Sequence, residues 1–309
     1  MKKVLVTGAS GFIGNTCIDA LIETGQYEIH AVSLRKNDSV KKGVFWHLVD
    51  LHNRQATREL MTQARPTHLL HLAWHTAPGD FWHSEENYKW LQTSTDLLQE
   101  FASAGGERCV ISGSCAEYSA DNSHCLEDVT PLNPATIYGK CKDSLHSWQK
   151  SFCTEASLSC AWGRIFYIYG PHEPRQKLVS SVILPLLKRE QARCSHGMQI
   201  RDYMYIADVA SAFIALLGSK VEGAVNIASG QPLALKEIIM KIADKLGGHN
   251  LVQFGVRPEL DNEPEILTGD INRLSKEVGW QPEYSLDEGL DLTIAWWKEQ
   301  LHKEGLELS

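Results

Sequence analysis

The chain has 309 residues, of which 43% are hydrophobic and 22% charged, with a formal net charge of −8. That length supports one large domain or two coupled ones, and an acidic balance without a basic block argues against nucleic acid and anionic membrane surfaces as partners. No run of about 18 apolar residues appears, so no segment is expected to cross a membrane. The eight cysteines, at 17, 109, 115, 125, 141, 153, 160 and 194, show neither a CxxC pair nor metal-ligand spacing, and a reduced, cytoplasmic protein is expected.

The opening "MKKVLVTGASGF" is charged and then apolar, but the apolar part is too short for a signal peptide and runs straight into glycine; a first strand is expected. Lys2–Thr7 supply that strand, and residues 15–23 carry helical periodicity with Gly25 as a stop. Between them Gly8, Gly11 and Gly14 form G-x-x-G-x-x-G. The first glycine permits a tight turn, the second a close approach of backbone amides to a pyrophosphate, and the third close packing of helix on strand. The helix dipole then faces the phosphates, with Phe12 and Ile13 in the contact set. A merely glycine-rich turn is the alternative.

Further units follow: strands over 27–34, 44–51 and 67–74, a helix over 86–105 and a strand over 108–114. Alternating strands and helices imply an α/β fold with a doubly wound parallel sheet.

Ligands gather at the carboxyl ends of such strands. After the second strand Arg35 and Lys36 stand where an acidic residue would bind a ribose diol, which favours the 2′-phosphate of NADP(H), with NAD(H) possible; a solvated basic loop is the other explanation. Asp50 and Leu51 are placed to meet adenine, Leu72, Ala73 and Trp74 to line the dinucleotide, Ser112 to join them, and Ile165 with Phe166 to pack beside nicotinamide. His68, His71 and His75 are too loosely spaced to make a metal site the expectation.

Tyr138 and Lys142 are four residues apart, which places both on one helix face. A nearby ammonium and a nicotinamide ribose would favour the phenolate, lowering the tyrosine pKa from about 10 and allowing proton exchange with a carbonyl or alcohol near neutral pH. The run "CVISGSCAEYS" ends a buried strand in Ser112 and Ser114, and a serine there would hold the same oxygen.

These motifs, with "TGASGFIG", "SGSCAEY", "YGKCK", "YGPHEP", "RDYMYIADVA", "GAVNIASGQPLALKEI" and "VGWQPEYSLDEGL" in order, resemble the extended short-chain dehydrogenase/reductases that modify nucleotide sugars, over nearly the whole chain. The resemblance implies Ser114, Tyr138 and Lys142 as catalytic residues, and a doubly wound parallel Rossmann sheet with a smaller C-terminal α/β domain closing over a nucleoside diphosphate sugar. The division expected is 1–165 for the dinucleotide and 166–309 mainly for the substrate, with some elements of the second half returning to the first sheet. Departures narrow the reaction. Dehydratases carry Asp-Glu directly after the catalytic hydroxyl, where this chain has Cys115-Ala116; Glu117 is two residues late and is expected to point elsewhere. The Cys and His of the 3,5-epimerase-reductases are missing too, with Ala116 in the aligned place and no His near Ser181 or Val182. Hydride transfer with one proton transfer survives. Reduction of the 4-keto group of a nucleoside diphosphate 4-keto-6-deoxyhexose by NADPH is the favoured expectation. An NAD-dependent 4-epimerase and an NADPH-dependent reductase of a non-sugar ketone are the alternatives. Tyr167 stands where relatives often place Asn against the sugar. Arg201 and Arg257 are candidate diphosphate ligands, unless they are solvated arginines. Residues 74–88 are expected to form a lid, and Trp82, Trp90, Trp296 and Trp297 to serve core or interface. Relatives pair the helices near 85–103 and 138–155 across a two-fold axis, which implies a homodimer.

Overall fold

The computed structural model describes residues 1–35, 41–258 and 263–306. Seven parallel strands form the main sheet: β1 (Lys2–Thr7), β2 (Tyr27–Ser33), β3 (Val44–Leu48), β4 (His68–His71), β5 (Arg108–Ser114), β6 (Ser159–Ile165) and β7 (Gly223–Ile227). Their spatial order is β7-β6-β5-β4-β1-β2-β3. The order reverses direction between β1 and β4, and that switch point opens a crevice at the strands' carboxyl ends.

Strand alternation sorts the core into two layers. Val4 and Val6 of β1 face one side with Cys17, Ile18 and Leu21 of α1 (Phe12–Thr24). Leu5 faces the other with Leu60 and Met61 of α2 (Arg54–Ala64), Leu97, Leu98 and Phe101 of α3 (Glu86–Ser103), and Leu145 of α4 (Ile137–Glu155). The first layer continues through Val179 and Ile183 of α5 (Leu178–Leu187) and Val209, Phe213 and Leu217 of α6 (Ile206–Gly218). Arg108, at the start of β5, ties the sheet to α6: its guanidinium donates to the carbonyls of Leu216 and Leu217, in the last turn of α6, and to Ser159 of β6. Strand β7 and helix α6 come from the second half of the sequence.

A second sheet is assembled from short strands, with residues 200–205 at its centre, flanked by 232–234 and 266–269, and with 124–125 at its edge. Helix α7 (Leu235–Leu246) and helix α8 (Leu286–Lys303) complete this half. Among the described residues no helix is long and apolar enough to cross a membrane.

One expectation is corrected here. The cysteines are not all thiols: Cys153, near the end of α4, and Cys160, in β6, form a disulfide, while Cys17, Cys109, Cys115, Cys125, Cys141 and Cys194 are free. The end of α4 and the start of β6 are joined by a tight turn, which brings the two Cα atoms to 6.3 Å, within disulfide reach.

Candidate active site

The glycine turn has the shape a dinucleotide needs. Gly8 holds φ +67°, and a Cβ there would lie 2.8 Å from the Ala73 nitrogen. A Cβ on Gly14 would lie 2.1 Å from the Gly8 carbonyl oxygen, so the helix packs on the turn as only glycine allows. Gly11 is the N-cap of α1, and no side chain caps it, so the first-turn amides around Phe12 and Ile13 face the crevice without a side-chain acceptor. These residues fit a pyrophosphate. Leu51 and Ala73 are buried and Leu72 half-buried behind them. Asp50 is exposed and accepts from the His52 amide at 3.0 Å. Arg35 lies exposed just past β2, its backbone bonded to Ser33; Lys36 lies outside the described residues.

Ser112, Ser114, Tyr138 and Lys142 come together, all buried, at the carboxyl end of β5 and the first turns of α4. Thr136 caps α4 by accepting from the Gly139 amide at 3.1 Å, which sets the helix start and so aims Tyr138 and Lys142. The Ser114 side chain lies near enough to the Tyr138 phenol to favour its ionised form. Lys142 Nζ donates to the Ser112 carbonyl at 2.8 Å and lies 3.9 Å from the Trp74 ring centroid. Ile165 pairs in register with Ser114 on the neighbouring strand.

The titration of this cluster differs from the sequence expectation. Burial pushes the Tyr138 phenol well above its ordinary value; the neighbouring Ser114 side chain opposes this, and the charge of Glu117 adds to it. Lys142 is instead the group brought toward neutrality: burial lowers its ammonium to about 7, against the pull of Glu117. The lysine lies under Trp74 and against the Ser112 carbonyl.

Glu117 points away from the crevice, as expected, into a buried network. Its carboxylate accepts from the Ser114 amide (2.7 Å), Trp162 Nε1 (3.0 Å) and Arg164 Nε (2.7 Å). Sequence reasoning missed this role, although Ser114-x-x-Glu117 is a capping-box pattern, and the structure forms that box. The aromatic surround of Tyr138 was also missed: Phe81 and Trp82 lie edge-on at 5.0 and 5.7 Å, and the Trp82 carbonyl accepts from the Tyr138 amide at 3.1 Å. Trp82 therefore belongs to the site, not to the core. Trp297 is buried, and Trp90 and Trp296 are half-buried.

Arg201 is fully buried and already engaged: it pairs with Glu263 at 2.8 Å, donates to the carbonyls of Ile200 and Glu265, and leaves only Nε without a partner among the described residues. Tyr167 is 5.3 Å from its guanidinium. Arg257 is exposed and lines a separate cleft of about 480 Å³ with Arg175, Arg193, Gln176 and Ser181. His71 is a satisfied core residue, bonded to Thr7 and Ser94 and held neutral by burial, and no metal cluster exists among the described residues.

A glycine-turn crevice beside a Ser–Tyr–Lys cluster defines a nicotinamide-dependent oxidoreductase of the short-chain type. The NAD dependent epimerase/dehydratase family model matches residues 4–228, and the chain belongs to that family. It is 24% identical to UDP-glucuronic acid decarboxylase 1 of Xenopus tropicalis over 98% of this chain and 74% of that one. It superposes on the UDP-glucose 4-epimerase of Thermotoga maritima, solved with UDP-glucose, with a TM-score of 0.87 at 22% identity, covering 97% and 99% of the two chains. The UDP-glucuronic acid 4-epimerase of Bacillus cereus, solved with UDP-glucuronic acid and NAD, matches with a TM-score of 0.85 at 20% identity over 96% and 99%.

Proposed function

We propose that the protein reduces the 4-keto group of a nucleoside diphosphate 4-keto-6-deoxyhexose. When bound, a reduced nicotinamide supplies the hydride to C4. Tyr138 donates its phenolic proton to the developing alkoxide, Ser114 hydrogen-bonds the same oxygen, and the Lys142 ammonium holds the cofactor ribose. The observation that carries the reading is that Ser114 and Tyr138 are buried together and that Cys115 and Ala116 follow the serine directly. Burial pushes the Cys115 thiol up to about 12, so it stays protonated and supplies no base for elimination or for epimerisation at C3 or C5. A phenol held protonated is suited to donation, the direction a reduction needs. Arg193 and Arg257 of the separate cleft supply local positive charge of the kind a diphosphate requires in a chain of net charge −8, while Arg175 beside them pairs with Glu304.

NADPH is the donor suggested by Arg35 and Lys36, while the NAD in the Bacillus cereus structure weighs toward NAD. A 4-epimerase is the second reading, favoured by the likeness to 4-epimerases; it uses the same three residues and consumes no reduced cofactor overall. Incubation with a panel of nucleoside diphosphate 4-keto-6-deoxyhexoses, following nicotinamide oxidation, separates the two. Stoichiometric oxidation supports reduction. Interconversion of C4 epimers without net oxidation supports the epimerase.

A homodimer through α3 and α4 belongs to the same proposal. The two helices pack together, and Trp90, Trp148 and Phe152 are left half-buried on them.

A further inference from the structure

We propose that Glu117 is a positioning residue for the Ser114–Tyr138–Lys142 site: it fixes the turn that carries Ser114 and sets a buried carboxylate against the same end of β5 and the same Trp162 side chain as Lys142. This rests on the assignment of Ser114, Tyr138 and Lys142 to hydride transfer.

The geometry comes first. Glu117 has no exposed surface and lies three residues after Ser114 in a 3-10 turn over residues 115–117. The Ser114 amide donates to Glu117, and the Ala116 amide donates to Ser114 Oγ at 3.2 Å, so the reactive hydroxyl and the carboxylate are locked in one ring of contacts. The seat is built for a carboxylate. A Cβ on Gly113 would lie 2.7 Å from Glu117 Oε1 and 2.1 Å from Trp162 Nε1, so the strand comes this close only because residue 113 has no side chain. Burial raises the Glu117 carboxyl, and Arg164, the Ser114 amide and Trp162 oppose that shift. Every partner named above donates an N–H to Glu117, so a protonated carboxyl would lose an acceptor position and gain a donor with no place to go, and the ionised form is the one this seat holds. Arg164, itself donating to Tyr118 and to the Glu127 carbonyl, secures the far side.

The electrostatics follow from that placement. Lys142 faces the Ser112 carbonyl on β5, His71 on β4, Trp74 after β4, Trp162 on β6, and Tyr138 on its own helix. His71 is held neutral by burial, as is His146, which contacts Arg164. Asp143 follows Lys142 on α4; burial raises its carboxyl and Arg164 lowers it. Ser112, whose carbonyl holds Lys142, and Ser114, whose amide donates to Glu117, lie two residues apart on β5, and the Trp162 ring, 6.0 Å from Lys142 Nζ, donates its Nε1 proton to Glu117. From there the Glu117 charge opposes the burial of Lys142 and adds to the burial that keeps Tyr138 a phenol. Removing it should let the ammonium give up its proton at lower pH. A contact that only braces the fold would not do this.

The test needs no sugar. Binding of NADPH and NADH is followed by nicotinamide fluorescence from about pH 6 to pH 9 in wild type, Glu117→Gln and the double variant Glu117→Gln/Arg164→Gln. The double variant removes the unpaired buried guanidinium that could unfold the single one. Wild-type affinity should weaken as pH rises through the Lys142 titration, and in either variant the midpoint should move down by about one pH unit. Affinity at pH 7.5 should then fall roughly tenfold and recover on acidification. Profiles that superimpose on wild type, with or without a lower melting temperature, reduce Glu117 to a structural strut and overturn the proposal. So does a wild-type affinity that is flat across the range, which requires no folded variant. A wild type that shows the predicted profile but turns over no nucleotide sugar refutes the reaction, and Glu117 is still judged by its pH profile.

Discussion

Tyr138 holds its proton because its hydroxyl is buried among Phe81, Trp82 and Trp74, where a phenolate would be poorly solvated. Tyr138→Phe keeps the ring and removes the proton. Turnover should fall by about 100- to 10,000-fold while cofactor affinity stays within a few-fold, read from steady-state rates and fluorescence titration. Near-normal turnover would remove Tyr138 from the mechanism. Lys142 makes a linkage prediction. Its pKa in the cofactor-free site is lowered to about 7, and bonding of the ammonium to ribose hydroxyls favours the charged form. Cofactor binding should therefore take up a proton above neutrality and none well below it. Calorimetry at pH 8 in buffers of different ionisation enthalpy measures this, and proton release at that pH would contradict it. At Gly14 the limit is steric. Gly14→Ala places a methyl 2.1 Å from the Gly8 oxygen, so the turn must open and cofactor affinity should drop by at least tenfold in the same titration.

At the level of elements, periodicity carried most of the information. Strands β1 and β5 run over the residues their patterns mark, because both are bounded by turn residues. Helix α4 was legible from Tyr138 onward. Helix α2 was not singled out, although Asn53 caps it by accepting from the Ala56 amide. What sequence could not show was which side chains meet across the sheet. Trp74 over Lys142, and Arg164 beneath Glu117, join segments far apart in the chain, and no local pattern encodes those contacts. The disulfide was hidden for the same reason: Cys153 and Cys160 lie seven residues apart on a helix and a strand, and only the tight turn between them brings the sulfurs together. Cross-linking a loop of that size stabilises by about 2 kcal/mol in the chain-entropy account. Cys153→Ser should therefore lower the unfolding free energy by about that amount in urea titration while leaving cofactor affinity intact, because the bond lies at the far end of α4 from Tyr138. An unchanged unfolding midpoint, or a loss of cofactor binding, would show that the link does something else.

For the whole molecule, α3 and α4 are the helices with aromatic surface to cover. Leu97, Leu98 and Leu145 are fully buried in the monomer core, so the proposed interface would be formed by Trp90, Trp148 and Phe152. Light scattering at micromolar concentration should give twice the chain mass of 34.6 kDa; the monomer mass would remove the dimer. The most direct test of the central claim follows the hydride itself. The protein is mixed with a nucleoside diphosphate 4-keto-6-deoxyhexose and a reduced nicotinamide carrying deuterium at C4 of its ring, and the sugar product is read by NMR. One deuterium at C4 of the sugar, matched to the cofactor oxidised, is the predicted result. Product without deuterium, or deuterium at another carbon, would contradict it.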